Sequence, residues 1–158
     1  MGIAIGAKVD ETFSSSTLLT SGKGFGVGDL HFAHDGKVYK FVLFNNGSGN
    51  VAAVAGNICY YLAETGAETV TVTSDLSDSS YVGAGVFQSV PADGEYCWIQ
   101  VKGPATITPA LSAGADGNAL TAVGATDGTL DVSLAVTDAI VAYAIDADAK
   151  KIMCDFPL

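Results

Sequence analysis

Apolar and polar residues alternate with the two-residue period of a half-buried strand in several short runs of this chain. The best placed run is Tyr96-Cys97-Trp98-Ile99-Gln100-Val101, which carries the only tryptophan. A Pro-Ala-Asp-Gly turn at 91–94 joins it to the earlier apolar run Val82–Val90, which predicts a β-hairpin at the centre of the core. Asp35-Gly36 lies between Leu30–His34 and Lys37–Phe44, and Asp-Gly between alternating runs predicts a two-residue hairpin with a type I′ turn. Tyr39, Phe41 and Leu43 then share the core-facing side of the second strand. Glu68–Thr73 alternates Val with Thr and reads as a strand with a solvated Thr face. Further strands are expected at Ile58–Leu62, Ala105–Leu111, Leu130–Leu134, Val136–Ile145 and Lys151–Phe156. Phe41, Val86, Trp98, Ile99 and Val141 are the expected core residues.

Glycine, Thr and Ser between short apolar runs favour tight turns over long helices. The predicted fold is mainly β: a compact β-sandwich or β-barrel-like domain of short antiparallel strands with an extended N-terminal arm. The arm is assigned to residues 1–28, where Ser14–Thr17 and the spaced glycines of 22–28 pack poorly by themselves. Residues 29–158 form the β-rich domain, divisible into subdomains 29–111 and 112–158 at the start of a Gly- and Ala-rich stretch. The arm's apolar residues Ile3, Ile5, Phe13, Leu18, Leu19 and Phe25 are the candidates for contact with another subunit, through addition of a strand to a neighbouring sheet edge.

Charge narrows the function classes. Seven Lys, no Arg and 17 acidic residues give a formal charge of -10, and guanidinium groups suited to phosphate or base edges are missing, so nucleic acid is not expected as a partner. No basic n-region opens the chain and no run of about 18 apolar residues occurs, so neither a cleaved signal nor a membrane span is expected. Cys59, Cys97 and Cys154 fit no C-x-x-C pattern and read as small buried hydrophobes. His31 and His34 stand three apart on a predicted strand and point to opposite faces, which disfavours a shared metal ion. The Asp clusters lack the calcium-loop spacing and read as turn formers. With no nucleophile and base in recognisable context, the expectation is a non-enzymatic protein with no catalytic residues, metal or cofactor.

The run Gly85-Val86-Phe87-Gln88, then Gly94–Ala105, then the insert at Gly114-Ala115-Asp116-Gly117 and an Ala- and Val-rich terminal strand pair resembles capsid decoration proteins of tailed bacteriophages, also called cement or head-stabilising proteins. The resemblance covers roughly residues 82–158. It implies a virion structural protein on the capsid exterior, assembled in the host cytoplasm, with the major capsid protein as partner and a homo-oligomer, a trimer foremost, as its state. The alternative is a phage fibre, tail or other glycan- or receptor-binding β module, for which Tyr60, Tyr61 and Tyr81 are the candidate exposed aromatics.

Overall fold

The computed structural model describes residues 2–63 and 70–158. In chain order it contains β1 (Thr12–Phe13), α1 (Ser15–Thr20), β2 (Leu30–Phe32), β3 (Val38–Asn45), β4 (Ile58–Leu62), β5 (Thr71–Thr73), β6 (Ser79–Phe87), β7 (Tyr96–Thr106), β8 (Ala119–Thr121), β9 (Asp131–Val132), β10 (Ala142–Asp146) and β11 (Lys151–Asp155). The protein is mainly β, and five strands close on themselves in the order β3-β5-β4-β6-β7 and back to β3. The β3–β5 pair is parallel and the other four are antiparallel. Closure removes the sheet edges that would otherwise template association.

The long strand β7 organises the rest. Cys97, Gln100 and Lys102 each face a β3 residue across one edge, while β1, β6 and β11 successively occupy the other. Past Lys102 the strand leaves the barrel at Gly103, whose φ of 91° and close approach to the Lys37 stem suit a residue without Cβ. Residues 102–106 then found a second antiparallel sheet in the order β7-β11-β10-β8-β9.

Two apolar clusters hold this arrangement. The main one fills the barrel with Val42, Phe44, Ile58, Phe87 and Ile99 and continues under the second sheet through Leu120, Val141, Ile152 and Phe156. A single cluster therefore spans residues from both 29–111 and 112–158. The second lies outside the barrel, where Tyr39, Phe41 and Trp98 are covered by Phe13, Leu18 and Phe25 of the N-terminal arm. All five expected core residues are buried: Phe41, Trp98, Ile99 and Val141 at 0% exposure and Val86 at 2%. They divide between the clusters, with Phe41 and Trp98 in the outer one.

Several local expectations are revised. The hairpin at Asp35-Gly36 forms, but its loop has three residues: Gly36 N–H donates to Ala33 C=O (3.1 Å), Ala33 N–H donates to Lys37 C=O (2.9 Å), and only Gly36 takes positive φ. Asp35 stays at negative φ because its carboxylate accepts the Lys37 N–H (3.2 Å), which removes the need for a type I′ turn. Tyr39 and Phe41 face the outer cluster, and Val42 and Phe44 on the opposite side of β3 enter the barrel, so both faces of that strand are covered. No break occurs at Gly103-Pro104; β7 runs through to Thr106, because beyond Lys102 it keeps only β11 as a neighbour and a residue without N–H is tolerated on the open side. The apolar run at 136–145 supplies a strand only from Ala142, and Val136 stands fully exposed in the preceding loop. Thr71 and Thr73 are buried between β3 and β4, with Thr73 Oγ1 accepting the Asp75 N–H (3.0 Å). Glu68 and Thr69 lie outside the described residues. Residues 15–20 form a short helix capped by Ser14, whose Oγ accepts the Thr17 N–H (3.2 Å).

Candidate functional site: the outer face of the second sheet and its groove

Burial alternates strictly along β11 and along the first four residues of β10, so Ala142, Ala144, Ile152 and Cys154 face the core and Tyr143, Ile145 and Met153 face outward. The register places Tyr143 opposite Met153, Met153 opposite Pro104, and Tyr143 opposite Ala119. An apolar row Pro104–Met153–Tyr143–Ala119 thus crosses the sheet on its solvent side, flanked by the Lys102–Asp155 ion pair. Tyr143 and Met153 remain 44% and 41% exposed. The loop before β10 adds exposed Leu134, Val136 and Ile140. It is a built turn, since the Asp138 carboxylate accepts the N–H groups of Leu134 (3.0 Å) and Ala135 (2.9 Å). An apolar centre with a charged rim is the composition of a protein-contact surface.

Beside this face, where β7 leaves the barrel, lies a groove of about 690 Å³ lined by Lys37, Gln88, Gln100, Pro104, Ile145 and Lys151 among others. Pro104 of β7 and Ile145 of β10 are apolar wall residues from the second sheet.

The arm residues divide sharply. Phe13, Leu18 and Phe25 pack inward on the chain's own barrel, Phe25 against Trp98 with ring centroids 5.2 Å apart and Phe13 against Phe41 at 6.0 Å. Ile3, Ile5 and Leu19 stay 72%, 92% and 86% exposed. The arm is held by the Asp29 carboxylate, which accepts the N–H groups of Gly2 and Gly26 (both 2.7 Å), and by Glu11 paired with Lys23. Ala4 N–H donates to Leu30 C=O (2.7 Å), placing residues 2–4 beside β2 as an outer edge.

Groups able to carry chemistry are engaged in the fold. Burial pushes the Cys97 and Cys154 thiols up to about 12 and raises the Cys59 thiol as well. Lys40 is 2% exposed inside the barrel, its Nζ donating to Tyr61 Oη (3.1 Å), and desolvation holds its ammonium below the usual lysine range. Tyr61 donates in turn to Pro157 C=O (2.9 Å). His31 stacks on Tyr39 with its Nδ1 3.0 Å from Ala4 C=O, whereas His34 sits in the turn after β2. Asp75 accepts the Ser77 hydroxyl (2.6 Å) and the N–H groups of Ser77 (3.0 Å) and Gly49 (2.9 Å), which hold its carboxyl below the ordinary range. Among the described residues no group of three or more His, Cys, Asp or Glu is placed to hold a metal ion.

Of the three candidate tyrosines, Tyr60 and Tyr61 are buried at 0% and 4%, their hydroxyls donating to Thr129 C=O (2.6 Å) and Pro157 C=O. Only Tyr81 is exposed. The expectation that Tyr60 and Tyr61 are exposed aromatics fails because both faces of β4 are covered, every residue of that strand being buried.

No family model matches the chain, and neither curated proteins nor solved structures return a match.

Proposed function

We propose that this protein is a non-enzymatic virion structural protein that binds the outer surface of a phage capsid and stabilises the shell. The observation that carries the reading is the apolar row Pro104–Met153–Tyr143–Ala119 on the solvent side of an ordered sheet, a surface suited to another protein. Ile3, Ile5 and Leu19 supply a second exposed apolar element in the arm. The formal charge of -10 keeps such a protein off DNA while it works at a DNA-filled shell. The resemblance of residues 82–158 to decoration proteins gives the partner as the major capsid protein and the oligomer as a trimer.

Co-sedimentation with empty, expanded capsids of the parent phage tests the proposal. Saturable binding is expected, unaffected by added oligosaccharides and reduced at least tenfold by M153E, which puts a charge at the centre of the row. Failure to saturate overturns the proposal. Competition by sugars transfers the assignment to a glycan-binding module.

A further inference from the structure

The groove beside the second sheet differs in character from the apolar row. Two of the seven lysines line it, Lys37 from the turn before β3 and Lys151 at the start of β11, in a chain with formal charge -10. Lys37 lies 3.5 Å from Asp35, and among the described residues Lys151 forms no ion pair. Asp146, opposite Lys151 across the ladder, has its Oδ1 occupied by the Ala149 N–H (2.8 Å).

The groove also holds a polar group prepared for a ligand. Gln100 is 3% exposed, and its Nε2 donates to the carbonyls of Lys102 (3.2 Å), Gly103 (3.2 Å) and Pro104 (3.0 Å). Three carbonyls fix the amide's orientation, because only the NH₂ side can serve them. Among the described residues no donor reaches Gln100 Oε1, and since the buried polar atoms without a partner are Ser74 Oγ, Ser89 Oγ and Trp98 Nε1, this oxygen stays open to the groove. A donor arriving with a ligand would satisfy it. Past Lys102, β3 no longer flanks β7, but Pro104 has no N–H and its C=O already accepts from Gln100 Nε2, so the edge along the groove is not a free template for another strand. The donor that Gln100 Oε1 lacks is one that a peptide backbone N–H supplies.

We infer that this groove binds an acidic segment of a partner protein: Gln100 Oε1 accepts one of its backbone N–H groups, Pro104 and Ile145 take its apolar side chains, and Lys37 and Lys151 take its carboxylates. A volume of about 690 Å³ accommodates a few residues of peptide. The inference does not depend on the identity of the particle the protein coats, and its test needs no capsid.

Fluorescence anisotropy with the whole protein and the peptide fluoresceinyl-Gly-Val-Asp-Val-Glu-Val-Gly-amide provides the test. Saturable binding is expected, weakened at least tenfold when Asn and Gln replace the peptide's Asp and Glu, weakened to the same degree by the K37Q/K151Q double variant, and weakened by salt. Both lysines are at least partly exposed, and circular dichroism of the double variant confirms that it folds. Equal binding of the neutral peptide, binding that survives K37Q/K151Q, or no binding overturns the inference. So does tighter binding of oligo(dT) than of the acidic peptide, which makes the lysines a phosphate site.

Discussion

The two apolar clusters of this protein are built on opposite faces of the same strands and differ in what closes them. Barrel strands and the second sheet seal the main cluster, with β3 and β7 contributing Val42, Phe44, Cys97, Ile99 and Val101. The outer cluster uses the other face of those strands, Tyr39, Phe41, Tyr96 and Trp98, and is sealed by an arm containing one short helix and a two-residue strand. Each has a polar irregularity: among the described residues, Lys40 in the barrel has no carboxylate partner, and Trp98 Nε1 outside it is buried with no partner. Strands fixed by ladders on both edges open only with the whole fold, whereas a segment with few ladder bonds opens locally. The molecule is thus a rigid barrel with a separable cover, and the cover's outward residues are Ile3, Ile5 and Leu19.

The largest effect expected from this difference is in the main cluster. Phe44→Ala leaves a cavity where no segment can close in, at a cost of about 3 to 5 kcal/mol in urea unfolding, and Phe25→Ala in the arm costs about 1 to 2 kcal/mol. Equal losses would erase the distinction. Next, deletion of residues 1–21 costs about 2 kcal/mol net, since burial of Phe13 and Leu18 is offset by the entropy of ordering the arm. The truncated protein keeps its β circular dichroism while Trp98 emission moves to longer wavelength. Unchanged emission would mean that the barrel alone buries the indole.

Alkaline pH separates the clusters a third way. Cys59, Cys97 and Cys154 all lie in the main cluster, and their folded pKa values are raised above the unfolded value. The unfolded chain therefore holds fewer protons above its thiol pKa of about 8.5, and stability falls with rising pH, by about 2 kcal/mol per thiol at pH 10. Stability measurements between pH 7 and 10 should give the same fall for the full chain and the arm-deleted protein. The smallest effect concerns Lys40, whose folded pKa is depressed, so its contribution runs the other way and rises with pH towards the unfolded lysine value of about 10.4. Lys40→Met should raise stability at pH 7 by about 1 kcal/mol. The gain shrinks as pH approaches 10, and a constant gain would show that Lys40 is not desolvated.

Local periodicity carried much of the barrel. The β6–β7 hairpin, β4 and the terminal β10–β11 pair follow from short apolar runs bounded by turn residues, but burial alternates only in β10 and β11, because β4 and the middle of β7 are covered on both faces. The course of β7 past Gly103-Pro104 was not legible, because the same dipeptide stops a strand flanked on both edges and is accommodated on one flanked by β11 alone. Thr71 and Thr73 were misread for a related reason: a Thr face is solvated only if nothing packs on it. The outer apolar row was hidden because β10 and β11 carry apolar residues on both faces, so alternation gave the parity without saying which face looks outward. The groove was beyond sequence reasoning, since Lys37, Gln100 and Lys151 come together only through pairing of distant strands. The split of the arm into three inward and three outward residues depended on the aromatic platform of β3 and β7, which local composition does not display.

Hydroxyl-radical footprinting of the protein free and bound to empty expanded capsids tests whether the outer face of the second sheet is the docking surface of a folded, arm-covered barrel. Met153 and Tyr143 are expected to be oxidised in the free protein and protected on the capsid, with Trp98 unreactive in both states. Met153 and Tyr143 equally reactive in the bound protein would contradict that docking surface.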